Sequence, residues 1–443
     1  MKIFDSFTGS LKNIDTKNIT MYTCGPTVYD YIHIGNARPL ILADTLVRFF
    51  KYLNINYNYL LNITDIDDKI INKALSLKIS EEELVEKYRN AFLVDMKNLN
   101  LVPPTSIISI SSKIDEIIFF IDDLLEKKFA YIVDGSVYFD ISKFKSEYGN
   151  LSKQDVSKLL AGVRIDLEEN KKNPGDFVLW KKTDTGKKWL SKWSLGRPGW
   201  HTECALLIDN YFKKTIDIHI GGIDLKFPHH ENERIQFLAK NNIEISKNWM
   251  HNGHLALENV KMSKSLGNII TVKDFLSDYD ANTLKYIFLT SSYRQPLNIT
   301  EQHIKQAEDW NEKIYKLLKT LNWKLAIKEV LEDFKTPIDD DFIPYNFEEK
   351  FINYMSDDLN TPMVITLIDE IIKYLNKQIK NGKVDLCFSH LKSLLKCLGF
   401  KYDIKEINEN DIKNLMEWKG AQEIKNYPLA DSLRKKLIER NII

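Results

Sequence analysis

The sequence predicts an α/β chain: a parallel-sheet domain split by an inserted α/β module, then a helical bundle and a small C-terminal mixed α/β module. Three observations lead there. From Ile19 to about Val102, strand-like and helix-like stretches alternate, the pattern of a parallel sheet covered by helices. Between Pro103 and Arg197 the pattern changes to short strands such as Val137-Tyr138-Phe139 with turn residues between, and a buried-strand run resumes at Ile216 to Ile220. After Lys285 the chain turns helical, with Ile304, Ala307, Trp310, Ile314, Leu317 and Leu321 on one apolar stripe. The expected divisions are 1–102 with 198–245 for the split sheet domain and 103–197 for the insertion. A linking region at 246–300, a bundle at 301–402 and a C-terminal module at 403–443 complete them.

Length and charge narrow the function. A chain of 443 residues exceeds one hydrophobic core, so two to four domains are expected at roughly one per ~150 residues. The 62 basic and 62 acidic residues cancel, which excludes a global positive field; a polyanionic partner has to be met by local patches. Cys24, Cys204, Cys387 and Cys397 lie too far apart for a small disulfide framework, pointing to a reducing compartment and leaving metal binding open. No apolar run approaches the ~20 residues of a membrane span, and the first residues lack a signal-type apolar core, so a soluble cytoplasmic protein is expected.

In chain order, a strand at Ile19 to Tyr22 leads into Thr23 to Arg38, whose last part opens a helix with Leu40, Ala43, Val47 and Phe50 on one face. Asn36 stands where an N-cap belongs, and Gly35 lets the backbone approach a ligand where amide groups and the helix dipole favour an anion. A phosphate site follows, against the alternative that His33 and Asn36 only cap a helix. The similar string His251-Asn252-Gly253-His254 has no periodic helix behind it and reads as a decoy. Asn58 to Ile63 is a second strand ending in the polar cluster Thr64 to Asp68, and Ser80 to Leu99 is a helix with a Ser80-x-x-Glu83 capping box. Ligands of such a sheet sit at the carboxyl ends of its strands, where Thr64 falls. Asn360-Thr361-Pro362 supplies an N-cap and a first-turn proline. Basic residues around Trp418 and Tyr427 mark the last segment.

Two constellations carry chemistry. In Phe227-Pro228-His229-His230-Glu231-Asn232-Glu233, His229 and Glu233 are i, i+4 and share a helical face, as two ligands of one metal must. Cys24 and Cys204, both at predicted strand-to-turn positions, complete a Cys₂-His-Glu set whose soft thiolates favour zinc. The alternative, inert buried cysteines and core histidines, stays open on spacing alone. The loop Val260-Lys261-Met262-Ser263-Lys264-Ser265-Leu266-Gly267-Asn268 places two lysines and small residues where a transient phosphate charge needs neutralising.

His33-Ile34-Gly35-Asn36 together with Lys261-Met262-Ser263-Lys264-Ser265 resembles the signature pair of the class I aminoacyl-tRNA synthetases. More narrowly, Cys24 to Tyr29, Asn62 to Lys69, Gly196 to Cys204 and Phe227 to Glu233 resemble the cysteinyl-tRNA synthetases, in family order, with a weaker continuation at Asp357 to Pro362. The resemblance implies a Rossmann-type catalytic domain and ligation of L-cysteine to tRNA(Cys) through a cysteinyl-adenylate, with ATP as substrate accompanied by Mg²⁺. It implies one zinc ion per chain on Cys24, Cys204, His229 and Glu233, gripping the substrate thiolate. It implies a cysteine pocket shaped by Thr64, Trp200, His201 and Asp224, ATP phosphates near His33, Gly35 and Asn36, and Lys261 and Lys264 stabilising the transition state. Tyr427, Asp431 and Arg434 match the anticodon-reading helix, and a monomer is expected. The sequence departs from the family at Asn36, where histidine is usual, and at Tyr427, where tryptophan is usual. Two other readings compete: a ligase joining activated cysteine to a small amino-sugar, for which the helical and basic regions after Lys285 have no use, and a catalytically silent RNA-binding relative, which would have lost Lys264 or a zinc ligand.

Overall fold

The computed structural model describes residues 1–15, 17–153, 171–258, 260–261, 269–331, 346–381 and 387–443. Two compact units result, one of Met1–Ala281 with Tyr293–Ile299 and Ser356–Leu359, the other of Asn282–Ser292, Thr300–Met355 and Asn360–Ile443.

In the first unit a hairpin, β1 (Lys2–Asp5) and β2 (Ser10–Asn13), precedes β3 (Asn18–Thr23), α1 (Ile34–Tyr52), β4 (Asn56–Ile63), α2 (Asp68–Leu77), α3 (Glu81–Asn98) and β5 (Ser106–Ser109). The insertion supplies α4 (Ile114–Glu126), β6 (Ala130–Val133), β7 (Ser136–Phe139), β8 (Phe177–Lys182), β9 (Trp189–Leu190) and β10 (Leu195–Pro198). Then come α5 (Trp200–Phe212), β11 (Ile216–Gly222), α6 (Glu231–Asn241), β12 (Ser246–Asn252), β13 (Leu255–Leu257), β14 (Val260–Lys261), α7 (Val272–Asp278) and, after the second unit's first helix, β15 (Leu297–Ile299).

Strands order as β12-β11-β3-β4-β5, and every pair in that sheet is parallel. The expected alternation is therefore present, and the sheet takes a fifth strand from residues beyond 245. Parallel strands covered on both faces read as apolar runs, and β11 is buried along its whole length. The predicted face Leu40, Ala43, Val47 and Phe50 is buried along α1, each such Leu, Val or Phe contributing roughly 1.5–3 kcal/mol. Ser80 caps α3 by accepting from the Glu83 amide.

β6 to β10 form a second, antiparallel sheet. It shares one core with the first: Tyr22 and Leu60 belong to the same cluster as Phe139, Trp180, Ile117 of α4 and Ala205 to Ile208 of α5. The insertion thus seats α5 against the parallel sheet.

In the second unit, α8 (Ala281–Leu289), α9 (Glu301–Leu331), α10 (Phe347–Ser356), α11 (Thr361–Lys380), α12 (Cys387–Cys397), α13 (Glu409–Glu423) and α14 (Tyr427–Glu439) pack together. Ala307, Trp310, Ile314, Leu317 and Leu321 of the predicted stripe are buried, and Ile304 is half-buried. Asn360 caps α11 with Pro362 in its first turn. The segment 403–443, expected to be mixed α/β, contains helices α13 and α14 and no strand among its described residues, because Leu415, Leu437 and Ile442 bury themselves against Ile327 rather than against a sheet.

Candidate functional site

The carboxyl ends of β3, β4 and β11 meet around Cys24, Thr64 and the turn after Gly222. Cys24 follows β3 directly. Close approach of that turn to β4 requires Gly25, where an added Cβ would lie 1.7 Å from the Asn62 carbonyl oxygen. Cys204 sits one turn into α5, not at the strand end expected, because the helix starts at Trp200 with Gly199 as its N-cap. His229 is the next-to-last residue of the irregular turn Lys226–His230 before α6, and Glu233 lies in that helix's first turn. Gly221 leaves room for His230, whose Cε1 would be 2.5 Å from any added Cβ.

Cys24, Cys204, His229 and Glu233 bring four ligand atoms together within 4.8 Å of one another. Cys24 Sγ is 3.8 Å from Cys204 Sγ and 3.5 Å from Glu233 Oε1, and Cys204 Sγ is 3.6 Å from His229 Nε2. Tetrahedral zinc, with Zn–S of about 2.3 Å and Zn–N or Zn–O of about 2.1 Å, sets these edges at about 3.8, 3.6 and 3.6 Å. A fourth of the six edges, His229 Nε2 to Glu233 Oε1, is shorter at 2.8 Å, a hydrogen-bonded ion pair. Three edges of the tetrahedron are thus in place, and the donors suit zinc.

The electrostatics of the cluster favour a cation. Burial opposes ionisation of Glu233, yet His229 and His219 hold its carboxyl well below the usual range. Burial works against charge on His229 too, but Glu233 and Cys204 push it up to about 10. Burial and the neighbouring Cys204 raise the Cys24 thiol well above its ordinary value, whereas Cys204, accepting from Cys24 and His229 against its own burial, is lowered. Positive charge is welcome at this point.

The Glu233 carboxylate is held at its other oxygen, Oε2, by His219 Nε2 at 2.7 Å, which leaves Oε1 facing the thiols. A second potential metal set, Cys24, His219, His230 and Glu233, overlaps the first. It offers one thiolate instead of two: His219 holds Oε2 and stacks at 4.3 Å on Trp249, while His230, tied through Nδ1 to His251 Nε2 at 2.8 Å, turns Nε2 to within 3.4 Å of Cys24 Sγ.

Three of the four predicted pocket residues surround the cluster. Trp200 stacks on His229 with ring centroids 4.1 Å apart, and His201 Nδ1 lies 2.9 Å from His229 Nδ1, kept neutral because burial and His229 lower it to about 3. Thr64 Oγ1 donates to Glu203 Oε2 at 2.9 Å and accepts from Asn62 Nδ2 at 3.2 Å. Asp224 is exposed in the short turn after β11 and is not joined to them by any hydrogen bond.

The signature turn lies at the start of α1. Here His33, not Asn36, is the N-cap: its Nδ1 accepts from the Asn36 amide, and Asn36 Oδ1 accepts from the His33 amide, both at 3.2 Å. Asn36 therefore occupies the third helical position and is exposed, with Gly35 half-buried beside it. Ile34 and Val272 exchange backbone hydrogen bonds with Ile270 and Ile32, which anchors α7 to this turn. The Lys261 side chain and Lys264 lie outside the described residues. Tyr427, Asp431 and Arg434 are exposed along α14, spaced i, i+4, i+7 on one face.

Sequence reasoning missed His219 and His251. The signal was a histidine inside the apolar run Ile216 to Ile220; the string containing His251, read as a decoy, ends β12 and reaches the cluster's histidines. It also missed Glu203, fully buried beside Cys204, whose carboxyl burial raises well above its ordinary value.

Comparison with known proteins places the chain in a family. Residues 10–309 match the tRNA synthetases class I (C) catalytic domain, and residues 350–401 match the DALR domain. The chain is 49% identical over 448 residues to the cysteine–tRNA ligase of Mycoplasma mycoides subsp. mycoides, covering all of both chains. It is 38% identical over 461 residues to that of Clostridioides difficile, covering 100% of this chain and 97% of the relative. Methionyl-tRNA synthetase from Mycobacterium tuberculosis, solved with methionyl-adenylate, shares the fold with a TM-score of 0.56 at 13% identity, over 86% of this chain and 82% of that one.

Proposed function

The chain belongs to the class I cysteine–tRNA ligases, and from that premise we propose that its thiol–imidazole–carboxylate cluster selects L-cysteine for ATP-dependent ligation to tRNA(Cys). A carboxylate oxygen of cysteine attacks the α-phosphorus of ATP in line, and pyrophosphate leaves. A hydroxyl of the terminal tRNA ribose then attacks the carbonyl carbon of the cysteinyl-adenylate, and AMP leaves. Neither step needs a covalent enzyme intermediate, so the chain contributes position and charge.

Cys24, Cys204, His229 and Glu233 would hold one zinc ion per chain, which would supply a soft site favouring a thiolate over a serine hydroxyl. A pocket sensing size alone separates such near-isosteres by only about 100-fold. The single observation that carries the reading is the near-tetrahedral spacing of three ligand edges at the carboxyl end of the sheet. Trp200 and His201 close one wall beside His229, Thr64 stands on the opposite strand end, and Asp224 meets the substrate's polar groups from its exposed position in the turn after β11.

His33, Gly35 and Asn36 meet the ATP phosphates at the start of α1, where the helix dipole favours an anion. Asn36 donates an amide hydrogen bond there without carrying charge. Lys264 and Lys261 stabilise charge on the α-phosphorus and the departing pyrophosphate, and Mg²⁺ accompanies ATP. The exposed face of Tyr427, Asp431 and Arg434 contacts the anticodon, with Tyr427 available for base stacking. The chain acts as a cytoplasmic monomer; among its described residues no helix is long and apolar enough to cross a membrane.

Attachment of labelled cysteine to tRNA, with serine as competitor and a chelated parallel sample, tests the proposal. The expected result is cysteine-only charging, lost on chelation and restored by zinc. Charging that survives complete metal removal, or equal charging with serine, would refute it.

A further inference from the structure

A cavity of about 390 Å³ opens between α3 and α7 beside Tyr31, and none of the cysteine–histidine cluster lines it. Its size is at the lower end for small-molecule sites. Asp95 on α3 and Lys273 on α7 bring opposite charges to its walls, with Ala91, Val94 and Leu276 supplying apolar surface. Asp95 is only 4% exposed, and its buried Oδ2 has no hydrogen-bond partner. Burial pushes this carboxyl up to about 6, a rise that Lys273 only partly counters. Among the described residues the two do not form an ion pair; the Lys273 ammonium rests instead 4.9 Å from the centroid of the Tyr31 ring.

A buried acceptor without a donor costs roughly 1–3 kcal/mol, so the arrangement calls for a donor from outside the chain. A simple cation would satisfy Asp95 but meet the like charge of Lys273, a simple anion would do the reverse, and a neutral apolar molecule would leave Asp95 unpaired. We propose that this cavity binds a small zwitterion with an apolar body, an α-amino acid of the phenylalanine or leucine type. Its ammonium donates to Asp95, its carboxylate meets Lys273, and its side chain lies against Ala91, Val94 and Leu276.

Such a ligand has a route to the signature turn. Thr271, the N-cap of α7, pairs with His33, and the Val272 amide donates to the Ile32 carbonyl at 2.9 Å. A molecule bridging α3 and α7 therefore fixes the segment hydrogen-bonded to that turn. The inference does not rest on the cysteine reading, and it concerns a different site.

Calorimetric titration of the full chain with L-phenylalanine, in the presence of saturating L-cysteine, tests it. Phenethylamine and 3-phenylpropionate serve as the one-charge probes, and Asp95→Asn and Lys273→Met as near-isosteric variants whose unfolding midpoints verify the fold. One saturable site is expected, weakened about tenfold or more by losing either ligand charge or either side chain, about 1.4 kcal/mol. No saturable binding, binding unchanged in both variants, or binding abolished by cysteine would overturn the proposal.

Discussion

The thiol–histidine cluster and the turn at His33 to Asn36 stand at the same end of one parallel sheet, yet they are built differently. In the cluster, Cys204, His229 and Glu233 are buried and bonded chiefly to other charged or polarisable groups. At the turn, Asn36 is exposed, and its amide and the His33 amide are satisfied by each other's side chains. The first region holds its ligand atoms close together among buried groups; the second is closed only by two capping bonds of 3.2 Å, which a phosphate would have to displace under the proposed function. The proposed function thus assigns amino-acid choice to the more buried, densely bonded site and nucleotide binding to the more exposed one.

The largest effect should come from breaking the buried side. Cys204→Ser or His229→Ala is expected to remove bound zinc, read by metal content after dialysis, and to lower cysteine activation by more than about 100-fold with the fold retained. A variant that keeps both zinc and a normal KM for cysteine would dissolve the contrast. His219→Ala comes next: it frees Glu233 Oε2 without touching a ligand atom, so zinc affinity should fall about 10- to 100-fold in competition with a chelating dye.

On the exposed side, His33→Ala should lower kcat by about 10- to 100-fold in pyrophosphate exchange while leaving the KM for cysteine unchanged. Loss of the cap should also cost about 0.5–2 kcal/mol of stability. Equal losses in kcat and cysteine affinity would mean that the two regions act as one.

Much of this was legible in the sequence because local chemistry dictated it. The apolar face of α1 and the buried run of β11 follow from periodicity, and the His229–Glu233 pair from i, i+4 spacing. What was not legible depends on tertiary approach. Cys204 lies inside a helix because the insertion's core seats α5 against the sheet. His251 looked like part of a decoy because its partner His230 is 21 residues away and on another element. Asn36 has the better capping side chain, which is why the sequence points to it, but His33 sits at the non-helical position and accepts the bond.

The smallest expected effect extends the comparison to a carboxyl group that lacks what Glu233 has. Both side chains are buried, but Glu233 is hydrogen-bonded to two histidines and held low, whereas burial pushes Asp95 up to about 6 with no bond to its Oδ2. Unfolded aspartate titrates near 3.9, so between about pH 4 and pH 6 the folded chain binds more protons than the unfolded one. Stability must then fall as pH rises through that window, and the penalty is complete above it. Asp95→Asn removes the penalty because the amide is neutral throughout. The full shift would correspond to about 3 kcal/mol, which screening at the solvent-open cavity reduces to about 1 kcal/mol, or about 2 °C in Tm. The gain should be present at pH 7.5 and absent at pH 4. A variant less stable than the parent at pH 7.5 would mean that Asp95 already has a donor in solution, and the contrast with Glu233 would then be one of degree.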